Sequence, residues 1–136
     1  MKAKELELKV AVEEIGRVKT FLRSVIGDAG MDERLSGRLV FVVEEAVANV
    51  VNHSGASAMT LKAWQEADRL KISVADDGVP FDPTQFPPPN LNVPGMERQE
   101  GGLGIHYIRT MASGMAYRRE SGRNILTMSF EHCLVI

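Results

Sequence analysis

The chain has 136 residues, 44% hydrophobic and 25% charged, with a formal net charge of -2 and a pI of about 5.9. That length suits one domain over residues 1–136, large enough to bury a core without staples, and the charge balance gives no global basic field for nucleic acid. A single cysteine, Cys133, excludes an intrachain disulfide, no apolar run reaches membrane-spanning length, and the N-terminus lacks a signal-peptide stretch, so a cytoplasmic protein with no membrane partner is expected.

From Glu5 to Val12 charged and apolar residues alternate, the period-two pattern of a half-exposed strand. From Glu13 the period changes: Ile15, Val18, Phe21, Leu22, Val25 and Ile26 recur at helical spacing, and Gly27-Asp28-Ala29-Gly30 ends the helix. Asp32 suits the cap of a second, long helix, with Leu35, Leu39, Val42, Val43, Ala46, Val47, Val50 and Val51 forming its apolar face until Ser54-Gly55. Residues Ala58–Gln65 and Leu70–Ala75 then read as a hairpin turned by Glu66-Ala67-Asp68-Arg69.

The chain's 6 prolines all fall between Pro80 and Pro94, which predicts a long irregular loop, closed by Glu100-Gly101-Gly102-Leu103-Gly104. A short helix over Ile105–Met111 follows. Strands over Met115–Glu120 and Ile125–His132 come last, turned by Ser121-Gly122-Arg123-Asn124. Strands in adjacent pairs with intervening helices predict an α+β fold. The expected form is a two-layer α/β sandwich whose mostly antiparallel sheet is covered on one face by helices.

Three groups of residues carry chemistry. On the second helix Glu45, Asn49 and either Asn52 or His53 share one face at i, i+4 and i+7 or i+8. A carboxylate with an amide oxygen suits a hard cation such as Mg²⁺, and a carboxylate suits a general base; a solvated helix edge has the same pattern. Asp76-x-Gly78 ends an apolar strand, where a carboxylate can accept from an exocyclic amine and a glycine admits a flat base; an ordinary turn looks the same. Gly101-Gly102-Leu103-Gly104 opens a helix and can bring backbone N–H groups to phosphate oxygens, or serve as a hinge.

In combination these groups are far more specific. Their order resembles the superfamily of ATPases and kinases shared by DNA gyrase, heat-shock chaperones, mismatch-repair proteins and histidine kinases. Within it the chain is most similar to the bacterial anti-sigma-factor serine/threonine kinases. That likeness rests on Val43-Glu44-Glu45-Ala46-Val47-Ala48-Asn49-Val50-Val51-Asn52-His53, Asp76-Asp77-Gly78-Val79-Pro80-Phe81-Asp82-Pro83 and Gly101-Gly102-Leu103-Gly104-Ile105, with the ending Gly122-Arg123-Asn124-Ile125-Leu126-Thr127.

The resemblance implies a Bergerat-type ATP-binding fold with an ATP lid over residues 84–99. It implies Glu45 as the catalytic carboxylate and Asn49 as the Mg²⁺ ligand. Asp76 would read the adenine amine with Gly78, Phe81 and Thr127 nearby, and Gly101, Gly102, Leu103 and Gly104 would lie at the phosphates. His53 fits either the nucleotide site or a helix C-cap. Some members carry arginine two residues before the Gly-x-Gly; this chain has Glu100 there and Arg98 two residues upstream. The implied activity is phosphorylation of a serine on a small antagonist protein, together with sequestration of a sigma factor, in a homodimer. The alternative is a nucleotide-dependent partner-binding module without kinase activity, which every one of these residues except Glu45 serves equally.

Overall fold

The computed structural model describes residues 2–85 and 111–131. The expected loop beyond Gln85, the residues Arg98, Glu100, Gly101, Gly102, Leu103 and Gly104, the helix from Ile105 as far as residue 110, and Cys133 lie outside the described residues.

The element order is β1 (Lys4–Lys9), α1 (Ile15–Ala29), α2 (Glu33–His53), β2 (Ala58–Glu66), β3 (Arg69–Asp76), β4 (Gly114–Glu120) and β5 (Arg123–Glu131). The five strands form one sheet in the order β1-β2-β3-β5-β4, and every pairing is antiparallel. This is the expected α+β sandwich with its helices on one face. Strand β5 sits between β3 and β4, so its residues lie beside the end of β3.

The helix ends follow from local chemistry. Gly30 closes α1 in the left-handed region at φ 64; its N–H reaches the Gly27 carbonyl while that of Met31 reaches Ile26, a Schellman motif with Met31 buried behind it. The expected helix therefore continues through Gly27 and Asp28 to Ala29. Asp32 caps α2 as expected, its carboxylate accepting from the Leu35 N–H at 2.8 Å. At the far end the Ser54 hydroxyl donates to the Val50 carbonyl at 2.7 Å and accepts from the Ala56 N–H at 3.0 Å.

The first strand is shorter than its alternation suggested. The Val10 N–H bonds to the Ser57 carbonyl, the chain bends, and Val12–Glu14 form a 3₁₀ turn before α1, leaving Val12 largely exposed. At the other end of the sheet Ser121 and Gly122 take φ 52 and 75, the positive pair of a two-residue hairpin, so Arg123 and Asn124 belong to β5 and not to the turn.

The core lies between the helices and one sheet face. Val18, Leu22 and Val25 of α1 and Leu39, Val42, Val43, Ala46 and Val47 of α2 are buried against Leu61, Leu70, Ile72, Val74, Met128 and Phe130. Cross-strand register places Asp76 opposite Asn124, Val74 opposite Leu126 and Ile72 opposite Met128. Because faces alternate along a strand, Asp76 and Asn124 sit at the end of the same apolar row that packs on the helices. Among the described residues no helix is long and apolar enough to cross a membrane.

Candidate nucleotide site

Where the C-terminal half of α2 meets the end of β3, a cleft opens that encloses about 510 Å³, its mouth included. One wall is Ala46, Asn49, Val50, His53 and Ser54 of α2 and its cap; the other is Val74, Asp76, Tyr117, Asn124 and Leu126 of the sheet, with Phe81 and Pro83 from the segment after β3. The walls are mostly apolar and the polar groups few, which is the composition of a small-molecule site.

The floor is a tight polar knot. Asp76 is 5% exposed, and its Oδ1 accepts from the Gly78 N–H at 2.9 Å and from Asn124 Nδ2 at 3.1 Å. Gly78 is needed there by crowding. A Cβ at that position would lie 2.3 Å from the backbone oxygen of Ser54, and the Val79 N–H donates to that same oxygen at 3.0 Å. The glycine thus lets the turn after β3 dock on the end of α2, a role beyond admitting a flat base. Next to it Asp77 points outward and ties the start of β2. Its carboxylate accepts from the Ser57 hydroxyl at 2.7 Å and from the Ser57 and Ala58 N–H groups at 2.8 and 3.1 Å. Those bonds, the Ser57 hydroxyl first, hold its pKa at about 2 instead of 3.8.

The structure brings Asn49, His53, Asp76 and Phe81 together in the lining, with Gly78 beneath them. Glu45 lies one turn before Asn49 on α2, half-buried, and is not part of the described lining. Adjacent Glu44 is turned toward α1, with Lys19 Nζ 3.8 Å from its Oε1. Thr127 does not join the group near Asp76. It pairs with Ser73 and Ala116, one step out of phase with Asn124 and Leu126, and so lies on the opposite sheet face.

Asn124, Tyr117 and Arg119 were not singled out from sequence. A signal for Asn124 was present: Asn124, Leu126, Met128 and Phe130 alternate along β5, so a polar residue heads an inward-facing apolar row.

A Mg²⁺ ion fits the donor chemistry of α2, where the Glu45 carboxylate and the Asn49 amide oxygen stand one turn apart. Among the described residues no cluster of three or more His, Cys, Asp or Glu side chains forms an all-protein metal cage. Few protein ligands plus substrate phosphates is how Mg²⁺ is usually held.

The profile of the histidine kinase-like ATPase domain matches residues 7–130. The chain belongs to this family. Among curated proteins, this histidine kinase-like ATPase domain is 28% identical over 132 residues to the serine/threonine-protein kinase BtrW of Bordetella bronchiseptica, covering 94% of this chain and 93% of BtrW. It is 24% identical over 133 residues to the serine-protein kinase RsbW of Bacillus cereus, covering 93% and 83%. Among solved structures, the RsbU and RsbW domains of a Mycobacterium tuberculosis protein match with a TM-score of 0.68 at 17% identity, over 100% of this chain and 35% of that one. The Acinetobacter baumannii histidine kinase AdeS matches with a TM-score of 0.53 at 13% identity, over 96% of this chain and 68% of that one. These structural likenesses establish the fold.

Proposed function

We propose that the chain is an ATP-dependent protein serine/threonine kinase that acts as an anti-sigma regulator of transcription in the cytoplasm. The observation that carries the reading is a buried carboxylate, Asp76, at the floor of a mostly apolar cleft, in a domain whose full-length relatives are named as serine kinases. In this reading Asp76 accepts a hydrogen bond from the adenine amine, Phe81 and Val50 flank the base, and Gly101, Gly102, Leu103 and Gly104 serve the phosphates. Asn49 would hold Mg²⁺, which would neutralise phosphate charge there. Glu45 takes the proton of the substrate serine as its oxygen bonds to the γ-phosphorus and the bond to ADP breaks. The phosphoacceptor is a serine of a small antagonist protein, and the sequestered client is a sigma factor.

The protein acts as a homodimer in this reading, which the free outer edge of β1 among the described residues supports. The activity is tested by incubating the protein with Mg-ATP labelled at the γ-phosphate and a small antagonist protein from the same genome. Label on an antagonist serine is the expected result. No transfer, with a sigma factor still bound in the presence of ATP, overturns the kinase assignment and leaves a nucleotide-dependent binding module.

A further inference from the structure

Asn124 is buried at 5% exposure, and its amide is saturated. Both N–H groups are used, one on Asp76 Oδ1 at 3.1 Å and one on the Val79 carbonyl at 2.8 Å. Its oxygen accepts from the Tyr117 hydroxyl at 2.6 Å, Arg119 NH1 at 3.1 Å and the Phe81 N–H at 3.2 Å. The amide has one possible orientation. Reversed, it would set its NH₂ against a guanidinium and a backbone N–H, and its oxygen against a carboxylate and a carbonyl.

That fixed amide has a consequence for Asp76. Oδ1 already holds two donors, Gly78 N–H and Asn124 Nδ2. Oδ2 accepts no hydrogen bond among the described residues and belongs to a side chain that lines the cleft. A carboxylate pinned through one oxygen presents the other in a single direction. It matches a ligand N–H there and repels a ligand carbonyl. The same asparagine also holds Val79 and Phe81, so the carboxylate and the apolar wall beside it are set by one residue.

We propose that Asn124 is the positioning residue that aims Asp76 at the base amine and so sets the preference of the cleft for 6-aminopurine nucleotides. The inference rests on the reading of the cleft as an adenine-nucleotide site. A site built to bond a ligand N–H discriminates strongly against the analogue that lacks it, because a buried acceptor is then left unpaired.

The test compares, by calorimetry, Mg-ATP with purine riboside triphosphate, which lacks only the 6-amino group. The proteins are wild type, Asn124→Ala, Asn124→Asp and Asp76→Ala. Wild type is expected to prefer ATP by about tenfold or more, the range for a hydrogen bond to a charged group. In both Asn124 variants that ratio falls toward one, while affinity for the purine nucleotide changes far less. Asn124→Asp keeps the shape and the three accepted bonds, and replaces the donors with a carboxylate oxygen that repels Asp76, so it carries the test if Asn124→Ala does not fold. Equal losses for both nucleotides, with the ratio intact, would mean that Asn124 is packing alone and would overturn the inference. If Asp76→Ala abolishes the preference and the Asn124 variants retain it, only the Asn124 assignment fails. If wild type shows no preference, or Asp76→Ala retains one, the adenine reading itself fails with it.

Discussion

At the sheet end of the cleft Asp76, Gly78 and Asn124 are bound to one another and to the turn after β3, whereas on α2 the side chains of Glu45, Asn49 and His53 make no hydrogen bond among the described residues. The first group is held before any ligand arrives; apart from Asp76 Oδ2, its polar side-chain atoms face fixed partners in a buried place. The second is a polar stripe beside the apolar face of α2, kept on one side by the 3.6-residue repeat. In the proposed reading the difference separates affinity from turnover. Groups that recognise an invariant base gain from being held in advance, because no ordering cost is then incurred on binding. Groups that serve phosphate, metal and a protein hydroxyl meet their partners only in the assembled complex.

The largest effect expected from this contrast lies at the helix end. Glu45→Gln keeps size and hydrogen-bonding capacity but cannot take a proton. The rate of phosphoryl transfer should fall by about 10²-fold or more, the range for a general base. Glu44→Gln is the control, since Glu44 is turned to Lys19 and α1, and single-turnover rates should match wild type. Equal rates for wild type and Glu45→Gln would remove the general-base role.

A disturbance of the sheet end should appear instead in stability and binding together. In Gly78→Ala the added methyl meets the Ser54 backbone oxygen and must push the turn off α2. Overpacking of this kind costs about 1–3 kcal/mol, readable as a lower midpoint in urea, with ATP affinity lost in parallel. An unchanged midpoint would mean that the turn yields freely and is not rigid.

How much of this could be read from sequence follows from the same contrast. Alternation gave β2, β3, β4 and β5 to within a residue or two, and the helical period gave the buried face of α2 from Leu39 to Val50. Asp76 and Gly78 were legible because Asp-x-Gly after an apolar strand is local. Asn124 was not singled out, since its partners Asp76, Val79 and Phe81 are more than 40 residues away in the chain and only the register of β5 on β3 brings them together. Thr127 was expected near Asp76 from its place in the final motif, yet strand phase puts it on the other face. The role of Gly78 was half visible: the need for a missing side chain was clear, but the obstacle, Ser54, could come only from tertiary packing.

A smaller effect is expected at Asp77, which fastens the start of β2 just outside the cleft. Its folded pKa of about 2 lies below the usual 3.8, so its contribution is present above about pH 4 and is lost as pH falls through about 2. Asp77→Ala should therefore melt at a lower temperature than wild type at neutral pH, and the gap should close on acidification toward pH 2. A gap that persists unchanged there would assign the effect to something other than the carboxylate.

The division between the two ends is tested most directly by calorimetric titration of Mg-ATP into Asp76→Asn and Glu45→Gln beside wild type. Hydrogen bonds to charged groups contribute about 1.5–3 kcal/mol, so Asp76→Asn should bind about tenfold more weakly or worse. Glu45→Gln should stay within about threefold of wild type, as expected for a group that acts in the transition state alone. Wild-type affinity in Asp76→Asn, or a loss in Glu45→Gln as large as that in Asp76→Asn, would contradict the account.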